Sequence, residues 1–179
     1  MKPWIFEVMV DIIGDAKCNT VAEIGTHNGG TAQQLISLLA PRVEKLMYYG
    51  YDIFDADNPD LEFHKQERNG KAPASYDQAL YTLRKISKRL GNIEYTLFKG
   101  FTTDTLVTPQ VFDFVYIDGG HSYDTVKHDY SMVKDSKLIV FDDYKIPGVQ
   151  QAVTEIEATG VAVEIVSTPS KHTWAVIRN

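Results

Sequence analysis

The chain of 179 residues is long enough to bury a substantial core in one domain, and its 44% hydrophobic and 23% charged residues are those of an ordinary globular protein. A net charge of −6 argues against a large surface for nucleic acid or anionic membrane. Cys18 is the single cysteine, which excludes an internal disulfide and a thiolate metal cluster and fits a reducing compartment.

Trp4, Ile5, Val8, Met9 and Ile12 recur at helical spacing, and Gly14 can end that helix. Glu7 and Asp11 interrupt this apolar stretch, so it reads as neither a signal peptide nor a membrane span, and a cytoplasmic location is expected. Residues 20–25 read as the first strand, and Thr31 with Gln34 forms a capping box ahead of Leu35, Ile36, Leu38 and Leu39. Residues 46–53 read as a second strand with Asp52 near its end. The polar segment from Phe54 to Pro73 reads as a long loop, a feature often tied to function and here a candidate lid. Ser75 and Gln78 offer a second capping box, followed by Leu80, Leu83, Ile86 and Leu90 and then by Gly91. Arg84, Lys85, Lys88 and Arg89 cluster near the end of that helix, where cations favour its dipole.

Strand-like runs follow at 93–98, 112–117, 137–142, 161–166 and 172–177. Tyr123, Val126, Tyr130 and Val133 form a helical stripe between two of them, and Val149, Ala152, Val153 and Ile156 form another. Strands alternating with helices predict an α/β domain, about seven strands in a mostly parallel sheet covered on both faces. The last two runs lie too close together for a helical crossover and are expected to pair antiparallel. No repeat or low-complexity tract breaks the chain, which reads as one domain over 1–179.

The run Glu23-Ile24-Gly25-Thr26-His27-Asn28-Gly29-Gly30 is the most informative motif. A strand, a glycine turn and a helix start in succession point free amides and a positive helix end at an anionic ligand. The spacing E-x-G-x-x-x-G departs from the G-x-G-x-x-G of dinucleotide sites. In open α/β sheets ligands bind beyond the carboxyl ends of strands, so polar residues there are candidates for function. Asp52 ends the second strand at the distance from the glycine turn where a ribose-binding acid belongs.

Asp118-Gly119-Gly120-His121-Ser122-Tyr123 follows the fourth strand, and Asp142-Asp143-Tyr144 follows the fifth. If these strands are parallel neighbours, their ends lie roughly 5 Å apart and the three acids converge. Carboxylates so close repel one another and need protons, basic partners or a cation. Oxygen donors suit a hard divalent ion such as Mg²⁺, Mn²⁺ or Ca²⁺, which makes Asp118, Asp142 and Asp143 the predicted metal ligands. His121, which titrates near neutral pH, is a candidate base. His64, His128 and His172 carry no convincing pattern and read as surface or packing residues.

The glycine loop resembles the cofactor loop of class I S-adenosylmethionine-dependent methyltransferases, and the resemblance covers nearly the whole chain. It implies a three-layer Rossmann-like fold with an antiparallel C-terminal hairpin. It also implies a cofactor site built from Glu23, Gly25, Thr26, His27, Asn28, Gly29, Asp52 and Asp118, with Gly100 and Phe101 bordering the adenine. The acids resemble those of catechol-type metal-dependent O-methyltransferases, which carry an acid after the fourth strand and an Asp-Asp or Asp-Asn pair after the fifth. The Asp118-to-Tyr123 run is similar to a bacterial family with a D-G-x-H-x-Y signature. Catechol-type enzymes place a lysine base where this chain has His121. Together these imply methyl transfer from S-adenosylmethionine to a hydroxyl of a small molecule, with His121 and Asp118 as catalytic residues and Mg²⁺ or Mn²⁺ as cation. No nucleic-acid or membrane partner is expected, and a homo-oligomer stays open. Two other readings remain: a nicotinamide-dependent oxidoreductase, which the missing second glycine disfavours, and a non-catalytic methyltransferase-like binding module.

Overall fold

A computed structural model describes residues 3–55, 72–168 and 172–179, with side chains described from Glu7 onward. Most of the 54–73 segment and His64 lie outside the described residues. The elements are α1 (Pro3–Ile13), β1 (Thr20–Ile24), α2 (Gly30–Leu39), a 3₁₀ turn (Ala40–Arg42), β2 (Leu46–Asp52), α3 (Tyr76–Leu90) and β3 (Ile93–Lys99). They continue with α4 (Thr102–Thr105), β4 (Phe114–Ile117), α5 (Tyr123–Val133), β5 (Leu138–Phe141), α6 (Pro147–Ala158), β6 (Val163–Ser167) and β7 (Thr173–Arg178).

The strands form one seven-stranded sheet in the order β3-β2-β1-β4-β5-β7-β6. β1 through β5 pair in parallel, whereas β7 is antiparallel to both β5 and β6. Every residue of β4 and β5 is buried, as expected for central parallel strands covered on both faces. One core joins Leu35, Ile36 and Leu39 of α2 and Leu83 of α3 to Val21, Tyr48, Tyr116 and Trp174 of the sheet. The other packs Val126 and Val133 of α5 and Val149 and Val153 of α6 on Ala22, Ile117, Ile139 and Ile177. This is the three-layer arrangement implied by the resemblance.

The last two runs form the expected antiparallel pair, with β7 beside β5 and β6 outermost. Composition explains this order. Thr173 through Ile177 are all buried, while β6 exposes Glu164, Ile165 and Ser167, and a charged, half-exposed strand suits an edge. The Thr31–Gln34 capping box does not form, because the cap position falls two residues earlier, at Gly29, and α2 begins at Gly30. Thr31 therefore already lies inside the first turn. Ser75 does cap its helix, with Ser75 Oγ accepting the Gln78 amide at 3.3 Å, but the reciprocal half of the box is replaced by Asn28, whose Oδ1 takes the Ser75 amide.

Parallel register is what assembles the site. Just past the strand ends the ladder continues by single bonds: Gly100 N donates to Asp52 O (3.0 Å), Gly25 N to Tyr51 O (2.8 Å), Asp118 N to Ile24 O (2.8 Å) and Asp142 N to Ile117 O (2.9 Å). Gly100, Asp52, Gly25, Asp118 and Asp142 consequently stand in a row along the carboxyl edge of the sheet.

Candidate functional site

A cavity of about 420 Å³ opens at this edge, within the usual range of small-molecule sites of about 300–1,000 Å³. Gly25, His27, Asp52, Gly100, Phe101 and Asp118 line it, and so does His121. Six of the ten residues expected to hold cofactor thus face one space. Glu23, Thr26, Asn28 and Gly29 do not line it.

Gly25 has φ +93° and sits against the start of the Asp118 loop. A β-carbon there would overlap the Asp118 carbonyl and come within 2.7 Å of the Gly119 nitrogen. The glycine is therefore required by the meeting of two backbones. His27 also has positive φ, +51°, and its Nε2 lies 2.8 Å from the Ala72 carbonyl oxygen. Asn28 Oδ1 accepts the Ser75 amide at 2.9 Å, which ties the glycine turn to the start of α3.

Asp52 is held on both oxygens: Oδ2 accepts the His27 amide and Oδ1 the Phe54 amide, each at 2.8 Å. Burial raises its pKa, and these two amides oppose that rise. Each carboxylate oxygen keeps a second lone pair, so a fixed, partly desolvated acceptor faces the cavity. Asp55 is a buried neighbour that sequence reading passed over; it lines the cavity and accepts the Ala74 amide at 2.8 Å. His128 and the fully buried Asp129, one helical turn into α5, line it too. The Asp52-x-x-Asp55 spacing was the only available signal for the first of these; nothing local marked Asp129.

Glu23 faces the opposite way, fully buried, and accepts a hydrogen bond from the Tyr48 hydroxyl. Burial and the Glu23 charge hold the Tyr48 phenol protonated well above its ordinary range. Tyr48→Phe should cost about 1–3 kcal/mol, since a buried carboxylate loses a donor. Thermal denaturation will register that loss, while ligand affinity at the cavity should stay within about twofold.

The three acids do not meet at one point but fall into two groups that share Asp143, each completed by a histidine. Donor atoms of Asp118, His121 and Asp143 all lie within 4.8 Å of one another, as do those of Asp142, Asp143 and His172. His121 Nε2 is 3.3 Å from Asp143 Oδ2. His121 is 9% exposed and lines the cavity together with Asp118. Its loop is braced from below: a β-carbon on Gly148, in the first turn of α6, would overlap the His121 carbonyl and come within 2.9 Å of the Tyr123 nitrogen. Asp143 has φ +49°, and its amide donates to Asp142 Oδ1 at 2.8 Å, so the pair is set by a tight turn.

His172 is the main residue that sequence reading misplaced. It is not a surface or packing histidine but the partner of Asp142, with Nε2 2.5 Å from Asp142 Oδ1. That bond raises the His172 pKa, with burial opposing and the charges of Asp142, Asp143 and Asp118 adding to the rise. The reason is topological. β7 runs antiparallel beside β5, so the residue just before β7 meets the residue just after β5, and Tyr144 N donates to Thr173 O at 3.0 Å. Behind the acids, Trp174 Nε1 donates to the Tyr116 hydroxyl at 3.4 Å. Burial, then the charges of Asp142 and Asp118, keep the Tyr116 phenol protonated well above its ordinary range.

No helix among the described residues is long and apolar enough to cross a membrane. No curated protein matches the sequence. Among solved structures, the O-methyltransferase NovP shares 18% identity at a TM-score of 0.71, covering 98% of this chain and 77% of its own. The O-methyltransferase from Bacillus cereus, solved with S-adenosylhomocysteine, shares 14% at a TM-score of 0.63, covering 100% and 82%. The O-methyltransferase TomG from Streptomyces achromogenes, solved with S-adenosylmethionine, shares 14% at a TM-score of 0.57, covering 98% and 78%. At these identities the likeness establishes the fold. A family model described as a methyltransferase domain matches residues 22–144, which span the glycine turn, Asp52, the Asp118 loop and the Asp142-Asp143 pair. The chain belongs to this methyltransferase-domain family.

Proposed function

We propose that the protein transfers a methyl group from S-adenosylmethionine to a hydroxyl oxygen of a small molecule, with a divalent cation at the acid cluster. The observation that carries the reading is the row at the carboxyl edge, where Asp52, held by two backbone amides, and Asp118, which borders the acid cluster, open on one cavity. Two of the similar structures hold S-adenosylmethionine or S-adenosylhomocysteine, and three are O-methyltransferases, which supports the donor and the acceptor atom.

Asp52 would accept hydrogen bonds from both ribose hydroxyls, and the bare backbone at Gly25 would admit the methionine portion. Gly100 and the half-exposed Phe101 ring would border the adenine. The donor chemistry of the cluster fits a cation: Asp118, Asp142 and Asp143 concentrate negative charge, and the same charge acts on Tyr116 and His172. Bound there, a divalent ion would lower the pKa of an acceptor hydroxyl. His121, which lines the cavity beside Asp143, would take the hydroxyl proton. The acceptor oxygen then attacks the methyl carbon in line; the O–CH₃ bond forms as the S–CH₃ bond breaks, and S-adenosylhomocysteine leaves. Asp118 borders both halves and would hold acceptor and donor in alignment.

A thermal-shift series tests this reading. S-adenosylhomocysteine should stabilise the wild type, and Mn²⁺ or Mg²⁺ should add a further shift. Asp142→Ala should keep the first shift and lose the second. A cofactor shift indifferent to metal in the wild type would leave methyl transfer standing and remove the cation.

A further inference from the structure

We propose that the cavity selects its methyl donor by charge, binding cationic S-adenosylmethionine at least about tenfold more tightly than neutral S-adenosylhomocysteine, so that the product is released as its charge is lost. The inference rests on the methyl-donor reading above and extends it to what separates substrate from product. Its basis is the makeup of the cavity wall. Asp52, Asp55, Asp118, Asp124 and Asp129 all line it, and among the described residues no lysine or arginine does. The other ionisable side chains on it are three histidines and Tyr51, so the wall carries five carboxyl groups and no permanent positive charge. Asp52 and Asp55 accept backbone amides, which hold a carboxylate without cancelling its charge. Besides burial, the charge of Asp55 raises the Asp52 pKa, so these two groups act on one space.

A concave wall of one sign focuses its field on whatever enters. S-adenosylmethionine bears a sulfonium, an ammonium and a carboxylate, hence one net positive charge, whereas the product has a thioether and no net charge. The sulfur joins the methionine portion to the ribose. With those portions at Gly25 and Asp52 it would lie beside Asp118, whose backbone meets Gly25. Methyl transfer removes the sulfonium charge at that point, and the acceptor proton passes to His121 on the same wall. The wall then holds an added positive charge of its own and a neutral ligand, and both changes favour release. The same field opposes the diphosphate of a dinucleotide.

The test is calorimetry on the whole protein, without added divalent metal, using S-adenosylmethionine, S-adenosylhomocysteine and sinefungin, which carries a protonated amine in place of the methylsulfonium. At about 20 mM salt both cationic ligands should bind at least about tenfold more tightly than S-adenosylhomocysteine, and the gap should close to about threefold or less near 0.5 M salt. Asp118→Asn should remove most of the gap by weakening the cationic ligands, with S-adenosylhomocysteine changed by less than about twofold. Phe101→Ala, which trims the adenine wall and leaves the charges in place, should weaken all three ligands alike and keep the gap. Equal affinities within about twofold in the wild type at low salt overturn the proposal. So does a gap that neither salt nor Asp118→Asn changes, which would assign the preference to contacts of the methyl group. If none of the three ligands binds, the methyl-donor reading itself falls.

Discussion

Gly25→Ala is expected to be the most damaging single substitution at the site. The alanine would have to hold φ near +93°, which costs an L-residue about 1–3 kcal/mol. Its β-carbon would also occupy the space of the Asp118 carbonyl, with the Gly119 nitrogen only 2.7 Å away. Those neighbours are backbone atoms at the end of a central strand, tied to β1 by the Asp118 N to Ile24 O bond of 2.8 Å. They cannot rotate aside as a side chain would. Forced separation of packed elements adds about 1–3 kcal/mol, so the total loss is about 2–6 kcal/mol. For a chain of this size that lowers the melting temperature by roughly 5–20 °C. Because Asp52, Gly25 and Asp118 are neighbours in one row, S-adenosylhomocysteine binding should vanish in the same variant. A melting temperature within about 2 °C of wild type with binding intact would mean that β1 and β4 do not meet as described.

Asp52→Ala should have the second largest effect, on affinity more than on folding. A diol held by one carboxylate makes two hydrogen bonds to a charged acceptor, each worth about 1.5–3 kcal/mol. Losing both should weaken S-adenosylhomocysteine by at least about 100-fold. The amides of His27 and Phe54 also lose their acceptor, so some stability goes with it. Asp52→Asn separates the two contributions. Its carbonyl can serve one amide, but its NH₂ would face the other N–H, and the charge is gone. Calorimetry on both variants should show weak binding in each, with Asp52→Asn closer to wild type in melting temperature. Wild-type affinity in either variant would remove Asp52 from the ligand site.

How much of this was readable in the sequence depended on whether a feature was local. Asp52, Asp118 and Asp142 could be placed because a parallel sheet with short crossovers turns chain position into spatial position, and the observed register keeps all three at one edge. Ser75 was readable as a cap because its partner is three residues away. His172 was not readable, because its role depends on β7 slipping between β5 and β6, a choice made by side-chain burial across the whole sheet. Glu23 shows another limit. In sequence it belongs to the glycine motif, but alternation along β1 turns it away from the cavity and toward Tyr48. The capping box at Thr31 failed for a related reason, since the turn that meets the Asp118 loop leaves Gly29, not Thr31, at the helix start.

Isothermal titration of the wild-type protein with S-adenosylhomocysteine, set beside the same titration with NAD⁺, tests the central claim most directly. The expected result is one site for S-adenosylhomocysteine in the micromolar range and no heat from NAD⁺. Binding of NAD⁺ in place of S-adenosylhomocysteine, or of neither, would contradict the donor assigned here.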